Sequence, residues 1–453
     1  MRRMTNAELD AKIVELDRQR PPLFTDEALA LRFAARHVLK LRYVAASSRW
    51  FIYTGKQWTA DDTLHAFDMA RLVCREASAE CNKPKIASTL ASAKTVAAIE
   101  RLAKSDRRMA ATMDQFDVDP MLLNTPEGVV DLCTGRMREH QANDYLTRMT
   151  AVAPDGACPT WREFLNRVTA GDVDLQNFLQ RKAGYALTGL TREHALFFIY
   201  GLGANGKSVY LNTVAGILGE YHRTAPIETF TASNVDRHPT DLAGLRGARL
   251  VTAIETEEGR RWAESRIKSL TGGDRIAARF MRQDYFEFTP QFKLVIAGNH
   301  KPGLRSVDEA IRRRFNLVPF TVCIPPEERD ETLTERLKAE WPGILGWMVQ
   351  GCLEWQRQGL AAPAVVKAAT AEYLESEDAL TAWIDDKCDR NPQSKETSTD
   401  LFLSWKNWAD AAGEPSGTQR RFSQKLEERG FEKVKDRYGR SFQGLHLRSG
   451  GHP

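Results

Sequence analysis

Apolar positions along the chain fall into blocks whose period changes from one block to the next. Over 27–41, Leu29, Leu31, Phe33, Ala34, Val38 and Leu41 recur at mixed helical spacing. Residues 41–44 and 50–53 then read as strands, and Thr54-Gly55-Lys56-Gln57-Trp58 as a tight glycine turn. Trp50 and Trp58 fit either the core of this small hairpin or a stack on nucleic-acid bases. Residues 63–104 are alanine-rich and helical, and 122–135 read as two short strands around turns. Pro154, Gly156 and Pro159 mark a boundary, after which 161–190 is helical again.

From there the pattern alternates. Apolar runs at 195–200, 247–254, 291–299 and 315–320 read as buried strands, separated by helical patterns at 209–218, 264–270 and 308–314 and by a hairpin at 275–288. Strands alternating with helices predict an α/β core with a mainly parallel sheet covered on both faces. Residues 377–385 are helical, 391–399 read as a polar linker, and a small C-terminal unit remains. Its two amphipathic helices, the second capped by Thr418 and ended by Gly430, precede strands at 431–434 and 441–447. That order predicts a winged helix, with Arg420 and Arg421 as groups for a DNA backbone or groove and subunit packing as the competing role.

The chemistry concentrates where the first of the later strands meets its helix. Gly201-Leu-Gly-Ala-Asn-Gly-Lys-Ser208 matches G-x-x-x-x-G-K-[ST] at every fixed position, between an apolar strand and a helix. Gly201, Gly203 and Gly206 permit backbone conformations that aim N–H groups inward, along with those of Ala204, Asn205 and Val209, and the helix adds its positive N-terminal end. Lys207 is expected to reach the β- and γ-phosphates of ATP, and Ser208 to offer its hydroxyl to Mg²⁺. Glu255 and Glu257 follow the buried run at 250–254 and share one side of an extended chain, so one fits Mg²⁺ and the other the attacking water. Asn299 ends a strand where an amide can orient that water. Arg312, Arg313 and Arg314 precede the last strand, where an arginine offered to a neighbouring subunit can neutralise transition-state charge. The hairpin carries Arg275 and Arg279 and has its tip near Arg282 and Gln283, a basic element suited to a single-stranded backbone; Lys268 is a further candidate contact.

Composition narrows the class. The 453 residues predict about three domains. Hydrophobic residues at 42% and charged residues at 27% are those of a globular protein. No apolar run approaches the roughly 18 residues a membrane span needs, and the charged N-terminus has no signal-peptide core. The seven cysteines occur singly, which argues against a zinc site or a disulfide framework and points to a reducing cytoplasm. A net charge of +4 is too small to establish a nucleic-acid partner by itself.

These motifs, in this order, resemble the superfamily 3 helicases, specifically the helicase half of the phage and plasmid primase–helicase family that includes the poxvirus primase–helicase. The matching stretches are GLGANGKS, RLVTAIETEEGRRW, IKSLTGGDRIAARFMRQDYFEFTPQFKL, VIAGNHKP and DEAIRRRFNLVPF, with LRYVAASSRWFIYTGKQWTADD and LLNTPEGVVDLCTG upstream. The resemblance implies an AAA+-like core forming a ring, commonly of six, with ATP at subunit boundaries. It implies Lys207 and Ser208 as Walker A, Glu255 and Glu257 as Walker B, Asn299 as sensor and Arg313 or Arg314 as arginine finger, with Arg312 third. It places the hairpin in the central channel on single-stranded DNA. The expected layout is an extension at 1–23, a mainly helical domain at 24–155, the ATPase at 156–330, a helical segment at 331–390, the linker at 391–399 and the winged-helix domain at 400–453. Larger relatives carry a primase module; too little chain precedes Phe24 for one here, so a separate primase is the expected partner. A non-catalytic ATP-binding replication-origin binder or loader is the main rival, and a small-molecule kinase the third reading.

Overall fold

The computed structural model describes residues 21–448 apart from 233–239, 256–259, 282–283, 305–306, 378, 415 and 437–438. The chain divides into two compact units, one ending at Asp155 but also taking in 187–189 and 217–221, the other holding the rest.

In the first unit β1 (Leu41–Val44), β2 (Arg49–Tyr53) and β3 (Trp58–Ala60) form an antiparallel meander, and β4 (Ala110–Ala111) joins β1 in parallel. Helices Asp26–His37, His65–Glu80, Pro84–Leu90 and Ala93–Ala103 cover it, burying Phe33, Val73, Ile99 and Trp50. A second antiparallel sheet follows, of β5 (Leu122–Thr125), β6 (Gly128–Asp131) and β7 (Arg136–Arg138). The unit is helix-rich with short strands, and strands stand where the apolar pattern expects them, at 41–44, 50–53 and within 122–135. Trp58 is 1% exposed, donates Nε1 to Ala142 O at 2.8 Å and stacks on Tyr145; Trp50 donates to Glu100 at 2.7 Å. Both are core residues with no open ring face for a base.

The second unit is built on five parallel strands in the order β14-β8-β13-β10-β9: β8 (Leu196–Tyr200), β9 (His222–Thr224), β10 (Leu250–Glu255), β13 (Lys293–Gly298) and β14 (Phe315–Pro319), with β11 (Ile276–Ala278) and β12 (Phe286–Phe288) forming a separate hairpin. All six residues of β13 are buried, and all but Lys293 are apolar or glycine, as suits a central strand covered on both faces. Phe198, Trp262, Leu270, Ile296 and Phe315 belong to one continuous core beneath this sheet. Helices Pro159–Val168 and Val173–Leu187 precede β8, and Leu333–Ala339, Trp341–Gln358 and Ala364–Ser376 follow β14.

The tail runs helix Ala379–Lys387, β15 (Cys388–Thr397), helices Ser398–Ala411 and Gln419–Glu428, β16 (Glu432–Asp436) and β17 (Gly439–Leu447). Its sheet order is β15-β17-β16, antiparallel throughout. Residues 391–397 are thus strand rather than linker: β15 pairs with β17 across a bulge between Asn391 and Lys395. Nearly every side chain of β15 faces solvent, so its polar composition concealed the pairing. Helix Ala379–Lys387 packs into the tail as well, with Trp383 fully buried beside Trp405 and Phe422.

Candidate functional site

The five parallel strands end on one side of the sheet, and the loop 201–208 crosses there between β8 and helix Lys207–Leu218. Two glycines fix its path. Gly201 lies so close to the end of β14 that a Cβ would stand 2.0 Å from Phe320 O. Gly206 has φ +82°, and a Cβ there would meet Val168 at 2.6 Å and Phe164 at 2.9 Å. Gly203, by contrast, has open space around it, so the turn does not need a glycine at that place. Ala204 adopts φ +57°, a left-handed conformation that costs a residue with a Cβ about 1–2 kcal/mol.

What holds this loop is Asn205. It is 3% exposed and donates Nδ2 to Leu202 O and Phe320 O, each at 2.8 Å, while its Oδ1 accepts from Lys207 Nζ at 3.0 Å. Lys207 also donates to Gly201 O at 2.6 Å and to Asn299 Oδ1 at 3.1 Å. Burial lowers the Lys207 pKa from the ordinary lysine value. Among the described residues the ammonium is held by neutral oxygens, an arrangement that an anion can enter.

Asn299 follows β13, and the turn after it is strapped from behind. Trp262 Nε1 donates to Tyr373 Oη at 2.9 Å, Tyr373 Oη donates to Pro302 O, and Leu304 N donates to Glu377 Oε2 at 2.8 Å. Lys301 Nζ lies 4.3 Å from the Tyr200 ring centroid. The predicted lysine and sensor amide therefore meet directly. Ser208 is exposed at the first turn of its helix. Glu255 closes β10 with its backbone paired to Gly298; its side chain and the whole of Glu257 lie outside the described residues.

The loop borders a cleft of about 440 Å³ whose lining includes Gly203, Lys207, Ser208, Val209, Ile254 and Asn299. A second cleft of about 340 Å³ shares Ala204, Gly206 and Val209 with it and is walled by Phe164, Ile324 and Leu333. At its mouth Arg167 pairs with Glu328, and Arg336 with Asp330 at 2.7 Å. Phe164 and Leu333 fall in stretches, 161–190 and 331–390, that the sequence reads only as helical. Nothing in their spacing distinguishes a pocket wall from a core.

Arg313 and Arg314 separate. Arg314 is 6% exposed, donating Nε to Thr271 Oγ1 at 3.1 Å and Nη1 to Ala310 O at 2.8 Å. Its guanidinium is engaged inside its own chain, which makes Arg313 the better-placed candidate of the two. Arg313, at the C-terminal end of helix Glu309–Arg312, is exposed and free to reach a neighbour. Arg275 and Arg279 lie on the β11–β12 hairpin; Arg282 and Gln283 lie outside the described residues. Lys268 is ion-paired with Asp308. Arg420 and Arg421 are exposed at the start of helix Gln419–Glu428, whose cap is Thr418.

Two family profiles match the chain: D5 N terminal like over residues 30–170 and a family of unknown function (DUF5906) over 199–314. A candidate helicase of Acanthamoeba polyphaga mimivirus is 24% identical over 320 residues, 65% of this chain and 33% of that protein. One from Frog virus 3 is 26% identical over 275 residues, 55% of this chain and 28% of that protein. The chain thus spans about a third of the length of the relatives it matches. Among solved structures, the apo NrS-1 C-terminal region aligns over 90% of this chain and 96% of its own, with TM-score 0.51 and 10% identity, a likeness of fold. Among the described residues no helix is long and apolar enough to cross a membrane. Sequence and fold together mark the chain as a phage or viral primase–helicase-like protein.

Proposed function

We propose that the chain is an ATP-dependent DNA helicase of superfamily 3 type, working as a ring, commonly of six, in replication of a phage, prophage or mobile element. The observation that carries this is the meeting of Lys207 and Asn299 over a glycine-shaped loop at the ends of parallel strands. Lys207 exchanges its neutral oxygen partners for the β- and γ-phosphates, with the loop N–H groups and the helix N-terminus around them. The nucleoside end lies in the second cleft against Phe164 and Leu333. Mg²⁺, held by Ser208 and Glu255, would neutralise charge on the phosphates. Asn299, released from Lys207, orients the attacking water beside Glu257. Arg313 of a neighbouring copy completes the site. Leu202, 84% exposed, and Ile254, 55% exposed, flank the site as apolar surface for that neighbour to cover.

Arg275 and Arg279 on the hairpin suit a single-stranded backbone, and the names of the viral relatives agree with a helicase reading. The tail, in the helix–strand–helix–helix–strand–strand order of a winged helix, presents Arg420 and Arg421 to duplex origin DNA. Those two exposed arginines also favour the rival reading, an ATP-binding origin binder or loader without strand separation.

The test is single-strand-stimulated ATPase and displacement of a forked duplex. The wild type should do both, and Lys207→Ala neither. An active Lys207→Ala would remove the proposed site. Background turnover by the wild type with tight duplex binding would select the rival.

A further inference from the structure

The β11–β12 hairpin carries more than positive charge. Phe280 is 43% exposed, Tyr285 59% and Met281 70%, beside a hairpin whose Ile276 and Phe288 are buried. Exposed aromatic side chains usually swing freely, but these two are braced. Phe280 stacks on Phe286, with centroids 5.6 Å apart and planes inclined by 27°. Phe286 rests in turn on Phe288 at 6.1 Å and lies under the Arg246 guanidinium at 5.2 Å. Tyr285 has the Arg279 guanidinium 4.9 Å from its ring centroid. Each ring is thus backed on one face by its own chain and left accessible to solvent. Arg279 Nε is buried without an acceptor among the described residues, and Arg275, at the other end of β11, makes an exposed pair with Glu287 of β12 at 3.8 Å.

Braced rings interleaved with cations match one ligand chemistry: flat faces joined by a polyanion. We infer that Tyr285 and Phe280 are stacking platforms for the bases of single-stranded DNA, with Arg279 and Arg275 on its phosphates, so that the hairpin grips bases as well as backbone. This rests on the single-strand reading of the hairpin and deepens it. A purely electrostatic hairpin is indifferent to whether the strand has bases. A stacking one is not, although it accepts every base because each has a π face. Bracing also removes much of the rotamer entropy that a free ring loses on binding.

The test uses the full chain and two probes with equal numbers of phosphates: an oligothymidylate of about 20 nucleotides and an abasic oligomer of that length. The wild type should bind the thymidylate at least ~10-fold more tightly. Phe280→Ala with Tyr285→Ala should weaken thymidylate binding by roughly 10- to 100-fold, from the usual worth of a base–aromatic stack. Abasic binding and the salt slope should stay within about 2-fold of wild type, since every cation facing a phosphate is kept. Tyr285→Phe should behave as wild type, and DNA-independent ATPase should be unchanged in all variants. Equal loss on both probes, or a change in assembly size at unchanged DNA affinity, would overturn the inference; the latter would give the rings to a contact between copies. A wild type that binds neither probe defeats the single-strand reading itself, whereas binding without preference for bases defeats only the stacking.

Discussion

Asn205→Ala is the perturbation that the geometry of the loop makes most informative. It removes two donated hydrogen bonds of 2.8 Å, to Leu202 O and Phe320 O, and one accepted from Lys207 at 3.0 Å. A neutral bond contributes about 1 kcal/mol net and one from a charged donor about 1.5–3 kcal/mol. Water recovers part of this at Leu202, which is 84% exposed, so the net loss is ~3 kcal/mol. That exceeds the ~1–2 kcal/mol needed to keep Ala204 left-handed, so the loop leaves its ordered conformation. Nucleotide must then supply the uncompensated ~1–2 kcal/mol, and at 1.4 kcal/mol per decade the dissociation constant rises by about 5- to 30-fold. Titration with a fluorescent ATP analogue or calorimetry measures it, with the melting temperature as a second readout. Asn205→Ala binding within ~3-fold of wild type would show that these bonds do not hold the loop.

Two further outcomes follow from the tail. Trp383→Ala, at a fully buried indole between Trp405 and Phe422, should cost about 3–5 kcal/mol and loosen everything from 379 onward to proteases. Proteolysis confined to residues beyond 400 would return helix Ala379–Lys387 to the preceding segment. Arg420→Ala with Arg421→Ala should lower duplex affinity and reduce the salt slope by about 2, roughly one for each phosphate no longer neutralised, while ATPase stays intact. An unchanged slope in a filter-binding series would assign those arginines to packing or solvent.

Legibility followed how local the determining physics is. The glycine loop, its strand and its helix were readable because fixed spacing and apolar runs act within some 25 residues. So was Asn299, since a polar residue ending an apolar strand is conspicuous. The fate of Arg314 was not, because its acceptors Thr271 and Ala310 come together only when the helices do. Arg313 and Arg314 are indistinguishable as neighbours in sequence, and folding sorts them. β15 escaped because an edge strand with both faces wet has no alternation to read. In the first unit β4 and β7 escaped because two or three residues are too few to show an alternation. The second cleft was hidden because Phe164 and Ile324 belong to distant segments that only the fold joins.

The central claim is that Lys207 of one copy and Arg313 of the next act on one triphosphate, and mixing subunits tests it most directly. Lys207→Ala and Arg313→Ala should each be inactive alone. Mixed in equal amounts and reassembled, about one interface in four carries both intact groups, so ATPase should return to about a quarter of the wild-type rate. A mixture as inactive as its parents, or Arg313→Ala turning over like wild type by itself, would contradict the account.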